Sequence, residues 1–344
     1  MKRSSYLDVV KGLAIIMVVF THSIQWGSGS SFYNECLYFD DQLFKFVYGF
    51  HMPLFMIVSG YLFWGTICRH KPMEVAMSRL RALLLPIVTC QTIYLIILSV
   101  LGMTVLSMGW LYSYGSALWF LRSVLGCSFM LLVGHVLLKD SLLFHVVVWA
   151  LLLLIPAERL SGLHVFMYPY FVFGYYWNKL NGKERYRSFS GLKKISVLMA
   201  SFGLYMVLLC GTFDSPERSV YIMGMSLQGR SSVWIQLIID LLRYIYGGLG
   251  IIMTMITVDL CFAGRQFSSD RNLQHWIVLL GRNTLGIYIF NFFTTQLLLL
   301  LPFNGHYFYM ASIAETIVML IGAMAVIWLV RRTFITRLLF LGEK

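Results

Sequence analysis

The chain has 344 residues, of which 59% are hydrophobic and only 12% charged, roughly half the charged fraction of an ordinary soluble domain. So few charges cannot coat a water-exposed surface, and so apolar a composition excludes intrinsic disorder. The 27 Lys and Arg outnumber the 15 Asp and Glu, but they sit in short segments between apolar runs, which is the pattern of membrane orientation and not of a nucleic-acid-binding face.

A membrane-spanning helix needs about 20 mostly apolar residues. In chain order this ruler predicts ten helices, over 6–25, 43–65, 83–105, 117–138, 141–156, 165–178, 195–211, 233–262, 276–301 and 312–335. The fifth and sixth are short, and the eighth is long enough to tilt or break. The expected fold is all-α: a polytopic integral membrane bundle of about ten helices, forming one domain over 1–344 with both termini cytoplasmic. The start Met1-Lys2-Arg3 resembles a signal peptide, but Lys11 interrupts the apolar run and no clear small-residue cleavage site follows, so a retained first helix is expected. With the N-terminus inside, twenty of the 27 Lys and Arg fall on cytoplasmic segments and three, Arg159, Arg218 and Arg230, fall outside. Lys11, Lys45, Arg122 and Arg243 lie within spans. That split follows the positive-inside rule. The six cysteines contain no C-x-x-C pair, and neither a disulfide framework nor a metal site is expected.

Ionisable groups within hydrocarbon are costly and default to functional hypotheses. The first helix carries Asp8, Lys11 and His22. Eleven residues turn a helix by about three full turns, so Lys11 and His22 share a face with about 16 Å between them along the axis. A cation below an imidazole on one stripe suits an elongated anionic ligand. Lys11 equally fits a snorkelling residue paired with Asp8 at i,i+3, and His22 fits an interfacial histidine. In the second helix Lys45 lies near the outer end and is expected to snorkel outward. Pro53 frees a carbonyl beside His51, and Ser59-Gly60 permits close helix approach, which together also read as a kink and a packing notch. Arg79-Leu80-Arg81 precedes Pro86. On a helix these two arginines could not face one ligand, whereas on an extended or turn segment they could grip a phosphate. Positive-inside orientation alone also accounts for them. Asp240 and Arg243, again i,i+3, read most simply as a neutralising pair.

Several of these stretches together resemble the membrane acyltransferase-3 family. Leu7-Asp8-Val9-Val10-Lys11-Gly12-Leu13-Ala14 followed by His22 resembles its first-helix motif, a basic residue and a histidine with ten residues between them. Phe50-His51-Met52-Pro53-Leu54-Phe55 with Ser59-Gly60 is similar to the second helix of the fucose 4-O-acetylase-like branch. Arg79-x-Arg81 with Pro86, Trp119-Phe120-Leu121, and the run Gly281-Arg282-Asn283-Thr284-Leu285-Gly286-Ile287-Tyr288-Ile289-Phe290-Asn291 match later motifs in the family's order.

The resemblance implies transfer of an acyl group, usually acetyl, from cytoplasmic acyl-coenzyme A to a hydroxyl of a surface or lipid-linked glycan, in the bacterial inner membrane. It makes His22 the general base or acyl carrier, with Lys11, Arg79 and Arg81 holding the donor's phosphates. His51, Ser59, Trp119 and Asn291 become candidates for lining the site, and Asp240, Arg243 and Glu315 candidate orienters. Acetyl-coenzyme A is the implied donor substrate, with no bound cofactor, no metal and no nucleic-acid partner; membrane lipid surrounds the bundle. Many family members have Arg in place of Lys11 and His in place of Asn291. The appended hydrolase-like domain of some relatives is not expected here, so the bundle would act alone or with a separate partner. A transporter or flippase of a glycan or small acid is the alternative from another class, since intramembrane charges and a kinked helix suit it too.

Overall fold

A computed structural model of the protein describes residues 5–100, 102, 118–155, 159–214, 227, 232–262, 273–298 and 309–343, and every regular element among these is helical. In chain order the helices are α1 (Ser5–Gly27), α2 (Ser30–Asn34), a 3-10 turn (Leu37–Phe39), α3 (Gln42–Tyr48), α4 (His51–Ile67), α5 (Pro72–Arg79), a π-helical turn (Leu80–Leu84) and α6 (Leu85–Val100). They continue as α7 (Trp119–Leu138), α8 (Leu142–Leu152), α9 (Arg159–Lys179), α10 (Gly182–Arg187), α11 (Gly191–Gly211) and α12 (Val233–Phe262). The last four are α13 (Leu273–Arg282), α14 (Thr284–Leu298), α15 (Tyr309–Val330) and α16 (Phe334–Leu341). Among the described residues, seven stretches are long and apolar enough to cross a bilayer: α1, Gln42–Ile67, Pro72–Val100, α7, α11, α12 and α15. The pair α13–α14, bent by 80°, makes an eighth if it is taken as one crossing. The expected fifth and sixth spans correspond to α8, an apolar helix of 11 residues, and α9, a helix of 21 residues that contains Pro169. The protein is an all-helical polytopic membrane bundle.

Two expected spans are broken, and each break has a local cause. The second parts at Gly49-Phe50 into α3 and α4. Pro53 is therefore not a kink within a continuous helix. It occupies the third position of α4, where a backbone N–H has no intrahelical partner and its loss is free. The ninth breaks at Asn283, whose side-chain amide donates to the Leu279 carbonyl at 2.8 Å while its Oδ1 accepts from Arg331 Nη1 at 2.6 Å. The third span begins earlier than hydropathy indicated, because the π turn joins it to α5. Its expected end, at 101 and 103–105, lies outside the described residues, as do 299–301 of the ninth.

Helix α1 is the hub. It packs against α4, α12, α13, α14 and α15, and Val9, Val10, Ala14, Ile15, Val18 and Val19 are buried. Lipid tails are as apolar as these side chains, so association in a bilayer depends on close van der Waals approach. Glycines supply it. A Cβ on Gly12 would lie 2.1 Å from the Ile277 carbonyl oxygen of α13, and one on Gly281 would lie 1.7 Å from the Asp8 carbonyl oxygen. The α4–α9 seam repeats the arrangement, with Gly60 against the Phe171 carbonyl and Gly174 against the Ile57 carbonyl, at 2.0 and 2.1 Å. Gly60 thus fills the notch expected of it.

The end of the bundle where α1 begins is termed proximal here, and the other distal. Tyr6 of α1 donates to the Met255 carbonyl near the end of α12. Gly27, the last residue of α1, abuts Glu315 near the start of α15. Distally, Ile24, Phe32, Tyr38, Phe39 and Phe44 form a small aromatic-rich cluster over the end of α1.

The proximal turn between α7 and α8 is pinned by Asp140. Lys139 and Asp140 both have left-handed backbone, with φ of 49° and 62°, a conformation that Asp tolerates better than most residues. The Asp140 carboxylate accepts from Tyr175 at 2.6 Å, Lys179 at 2.8 Å and His135 at 3.0 Å. Burial alone would raise this carboxyl, but the bonds from Lys179, Tyr175 and His135 outweigh it and hold it below the ordinary carboxylate value. A carboxyl depressed in the folded state gives stability that is full above its unfolded pKa, about 3.9, and is lost as pH falls through the lower folded value. Asp140→Asn, which keeps the backbone tolerance and loses the charge, should cost about 1.5–3 kcal/mol. Asp140→Ala should cost more, because it adds left-handed strain of about 1–2 kcal/mol. Thermal unfolding of the detergent-solubilised variants at pH 7 measures both; equal losses would remove the backbone contribution.

Candidate active site

Two polar side chains meet toward the distal end, and a third lies within electrostatic range of them. His22, half-buried, lies about a turn and a half from the end of α1. Its Nδ1 hydrogen-bonds the side-chain amide of Asn291 on α14, 269 residues away in sequence. Asn291 and His51 are both buried. His51 opens α4, close enough to His22 for the two imidazoles to interact electrostatically. Its Nδ1 lies 3.0 Å from the Val47 carbonyl oxygen. A carbonyl only accepts, so Nδ1 carries the proton and Nε2 is the lone pair. The α3–α4 junction that presents His51 is clamped by α12 and α11. A Cβ on Gly250 would fall 2.3 Å from the Phe50 ring, Tyr246 donates to the Lys45 carbonyl at 3.2 Å, and Tyr205 donates to the Phe46 carbonyl.

The His22–Asn291 bond decides what His22 can do. With the amide nitrogen toward Nδ1, the histidine proton sits on Nε2, and Asn291 Oδ1 is left buried with no hydrogen-bond partner. Rotating the amide by 180° puts Oδ1 on an Nδ1–H and leaves Nε2 as a free lone pair. Only this second arrangement makes His22 a base at Nε2, as an orienting acceptor does for histidines generally.

At the proximal end Lys11 is 2.8 Å from Asp8, and Arg282 Nε is 3.5 Å from the other oxygen of the same carboxylate. Arg79 and Arg81 lie on helical backbone, not on the extended segment that would have aimed both at one ligand. Arg79 closes α5 with its guanidinium 4.8 Å from the centre of the Phe63 ring. Arg81 sits in the π turn with a buried Nε that has no hydrogen-bond partner among the described residues. No described contact joins Lys11 to either arginine.

The remaining candidates separate. Ser59 is half-buried on α4 without a hydrogen bond among the described residues. Trp119 opens α7, and its carbonyl accepts from Ser123 at 3.2 Å. Glu315 lies against Gly27, where a Cβ would come 2.0 Å from the carboxylate oxygen, and its buried Oε2 has no hydrogen-bond partner. Asp240 and Arg243 are buried and pair at 3.0 Å, with Gln236 donating to the same Asp240 oxygen at 2.7 Å. Lys45 is 3.2 Å from the exposed carboxylate of Asp214. Among the described residues no group of three or more His, Cys, Asp or Glu is placed to hold a metal ion. Sequence reasoning did not find the Ser123–His164 contact, at 2.5 Å between α7 and α9. Its only trace in the sequence is a pair of polar residues in otherwise apolar runs.

The family model described as an acyltransferase domain, that of acyltransferase-3, matches residues 4–332. The chain belongs to the acyltransferase-3 family. Membership makes it a membrane acyltransferase, and His22, Asn291 and the α13–α14 bend all fall within the matched region. A stretch of 84 residues is 40% identical to the nodulation protein NolL of Sinorhizobium fredii (strain NBRC 101917 / NGR234), covering 24% of this chain and 22% of that protein. The NolL protein of Mesorhizobium japonicum (strain LMG 29417 / CECT 9101 / MAFF 303099) is 36% identical over 84 residues, with the same coverage. The match thus spans about a fifth of each of these relatives (22%). No solved structure matches the chain.

If Asn291 fixes the His22 tautomer, its effect on acyl transfer should follow its capacity to accept a hydrogen bond. Asn291→Leu should lower kcat about tenfold or more, while Asn291→Asp, which still accepts from Nδ1–H, should stay within a few-fold. The donor KM should not move in either variant. Equal losses in the two would make Asn291 a packing residue only.

Proposed function

We propose that this acyltransferase is an O-acyltransferase, using acetyl-coenzyme A or a close analogue, that acylates a hydroxyl of a surface or lipid-linked sugar. The observation that carries the proposal is the placement along α1: His22 is held by Asn291 near one end, and the basic group of Lys11 and Arg282 around Asp8 lies about 16 Å away toward the other. That offset suits a donor whose phosphates remain at the proximal, cytoplasmic end while its thioester reaches inward. The charge distribution supports the sidedness, and with it a bacterial inner-membrane location. The Phe50–Phe55 stretch supports the fucose 4-O-acetylase-like branch, and thus a sugar acceptor.

In the proposed reaction His22 Nε2 takes the proton of the acceptor hydroxyl as its oxygen attacks the thioester carbon. The carbon–sulfur bond breaks, the new ester bond forms, and the proton passes to the departing thiolate to give coenzyme A. Imidazole suits this exchange because its unperturbed pKa, about 6.5, leaves it largely neutral at pH 7. His51, with its own lone pair on Nε2, would orient the hydroxyl from the α4 side. Lys11, Arg79 and Arg81 would contact the donor's phosphates, Lys11 as a point charge.

His22→Ala should leave the protein inserted and able to retain coenzyme A, but lower transfer by about 10²-fold or more. Activity within a few-fold of wild type would return His22 to a structural role. Lys11→Arg should be tolerated and Lys11→Met should weaken donor binding; normal donor binding by Lys11→Met would leave Lys11 merely neutralising Asp8.

Sidedness has natural reporters. Exposed Cys36 lies in the distal segment and exposed Cys68 follows α4 proximally. In variants that keep one of the two, a membrane-impermeant maleimide should label Cys36 from outside intact cells and Cys68 only in inverted vesicles. The Cys68 thiol is pushed above its ordinary value by burial and by the nearby Asp140 carboxylate, so its labelling should accelerate as pH rises. Labelling of Cys68 from outside would reverse the membrane orientation.

A further inference from the structure

Four cations fall within the apolar runs, and three of them have a carboxylate in reach: Lys11 with Asp8, Lys45 with Asp214 and Arg243 with Asp240, at 2.8, 3.2 and 3.0 Å. The fourth, Arg122, has none among the described residues. It stands one turn inside the distal start of α7. The residue is half-buried, and its Nε and Nη2 are buried with no hydrogen-bond partner among the described residues. A guanidinium edge withdrawn from water without a counter-charge is costly, and a simple snorkelling role would carry these two nitrogens out to the interface.

The groups around Arg122 are poor partners for it but good partners for an anion. Tyr288 and His164 lie within electrostatic range of the guanidinium. The Tyr288 oxygen already accepts from the Phe120 backbone N–H at 3.4 Å, so its own O–H remains to be donated, and no acceptor for it is present among the described residues. Ser123 Oγ lies 3.2 Å from the Trp119 carbonyl oxygen and 2.5 Å from His164 Nδ1. Whichever of the two groups donates, this short contact holds the His164 imidazole in place. Arg122 Nε and Nη2 form one edge of the guanidinium, the edge that matches two oxygens of a phosphate or carboxylate. The guanidinium edge and the Tyr288 hydroxyl are thus donors without acceptors.

This cluster adjoins the reactive imidazoles. Tyr288 precedes Asn291 by one helical turn on the same face of α14. The Phe120 ring lies between the rings of Tyr288 and Phe55, with centroids 5.6 and 5.9 Å away, and Phe55 follows His51 by one turn. One aromatic layer therefore separates Arg122 from the His22–His51–Asn291 group.

We propose that Arg122 and the Tyr288 hydroxyl bind an oxyanion carried by the acceptor, phosphate being the one a lipid-linked sugar supplies, so that the acceptor enters as an anion. The proposal rests on the transferase reading given above and extends it to the acceptor. The donor's phosphates are assigned to the proximal end, whereas Arg122 is reached from the distal start of α7.

The test is native mass spectrometry of the full chain in neutral detergent, titrated with farnesyl phosphate and with farnesol, its uncharged counterpart. Wild type should retain the phosphate about tenfold more tightly than the alcohol. Arg122→Gln should bring the two within about twofold, Arg122→Lys should fall between, and unchanged farnesol retention confirms that a variant is folded. A wild-type preference below about twofold overturns the proposal without reference to any variant, as does a full preference in Arg122→Gln. Displacement of farnesyl phosphate by phosphatidic acid at equal concentration would make this an ordinary lipid-headgroup site and overturn the assignment to the acceptor. Coenzyme A retention by wild type, read in parallel, separates the two claims. Its absence counts against the transferase reading alone, and its presence without a phosphate preference counts against the acceptor anion alone.

Discussion

The structure depends on how closely α1 approaches its neighbours. At Gly12 and Gly281 the backbones of α1 and α13 are nearer than any side chain would permit, and in a bilayer such contact is the main source of helix affinity. The same crossing places Arg282 beside Asp8, and Lys11 beside the same carboxylate. One backbone contact thus fixes the packing of α1 and brings Arg282 to the carboxylate that Lys11 already holds. Through the break at Asn283 it also sets where α14 departs, and hence where Asn291 meets His22.

A second theme is the accounting of polar groups in a medium without water. Most are paired locally: Asp240 with Arg243 and Gln236, Ser23 with Thr316 at 3.1 Å, and His145 with Tyr168 at 2.7 Å. The first is closed within α12, while the other two hold neighbouring helices in register. Buried atoms left over in the distal half include Asn291 Oδ1, Glu315 Oε2 and two nitrogens of Arg122. An unsatisfied buried polar atom is costly to maintain, and two of these leftovers, on Asn291 and Arg122, fall in or beside the His22 neighbourhood.

Much of this was legible in the sequence wherever the information is local. Hydropathy revealed the bundle, i,i+3 spacing the Asp8–Lys11 and Asp240–Arg243 pairs, and Ser59-Gly60 the notch that Gly60 fills. The helix breaks were not legible, because an averaging window passes over Gly49-Phe50 and Asn283 as readily as over any two polar residues. The backbone of the Arg79–Arg81 segment was left open in the sequence, where only an extended or turn course would let both arginines share a ligand; its actual backbone is helical. Asn291 was noted as a departure from relatives, but its bond to His22 bridges 269 residues and belongs to tertiary geometry alone. Arg122 was counted among the cations within spans and passed over, since only the folded chain brings Asp214 to Lys45 and leaves Arg122 without a carboxylate among the described residues.

The π turn at Leu80–Leu84 has a consequence for how the third crossing is phased. A π bulge behaves as one residue inserted into an α-helix, and one residue is worth about 100° of rotation. The face of α5 that carries Arg79 and buried Val75 is therefore offset by about a quarter turn from the face that a straight helix would continue into α6. Gly342 packs against this offset: a Cβ there would lie 2.4 Å from the Arg81 carbonyl oxygen. Removing one residue from the turn would restore an unbroken helix of ordinary pitch, and would rotate Arg79 relative to every lipid-facing residue of α6. The bulge is thus a phase shifter, which lets one crossing present an apolar surface to the membrane while its entry segment keeps a differently aimed basic surface at the interface.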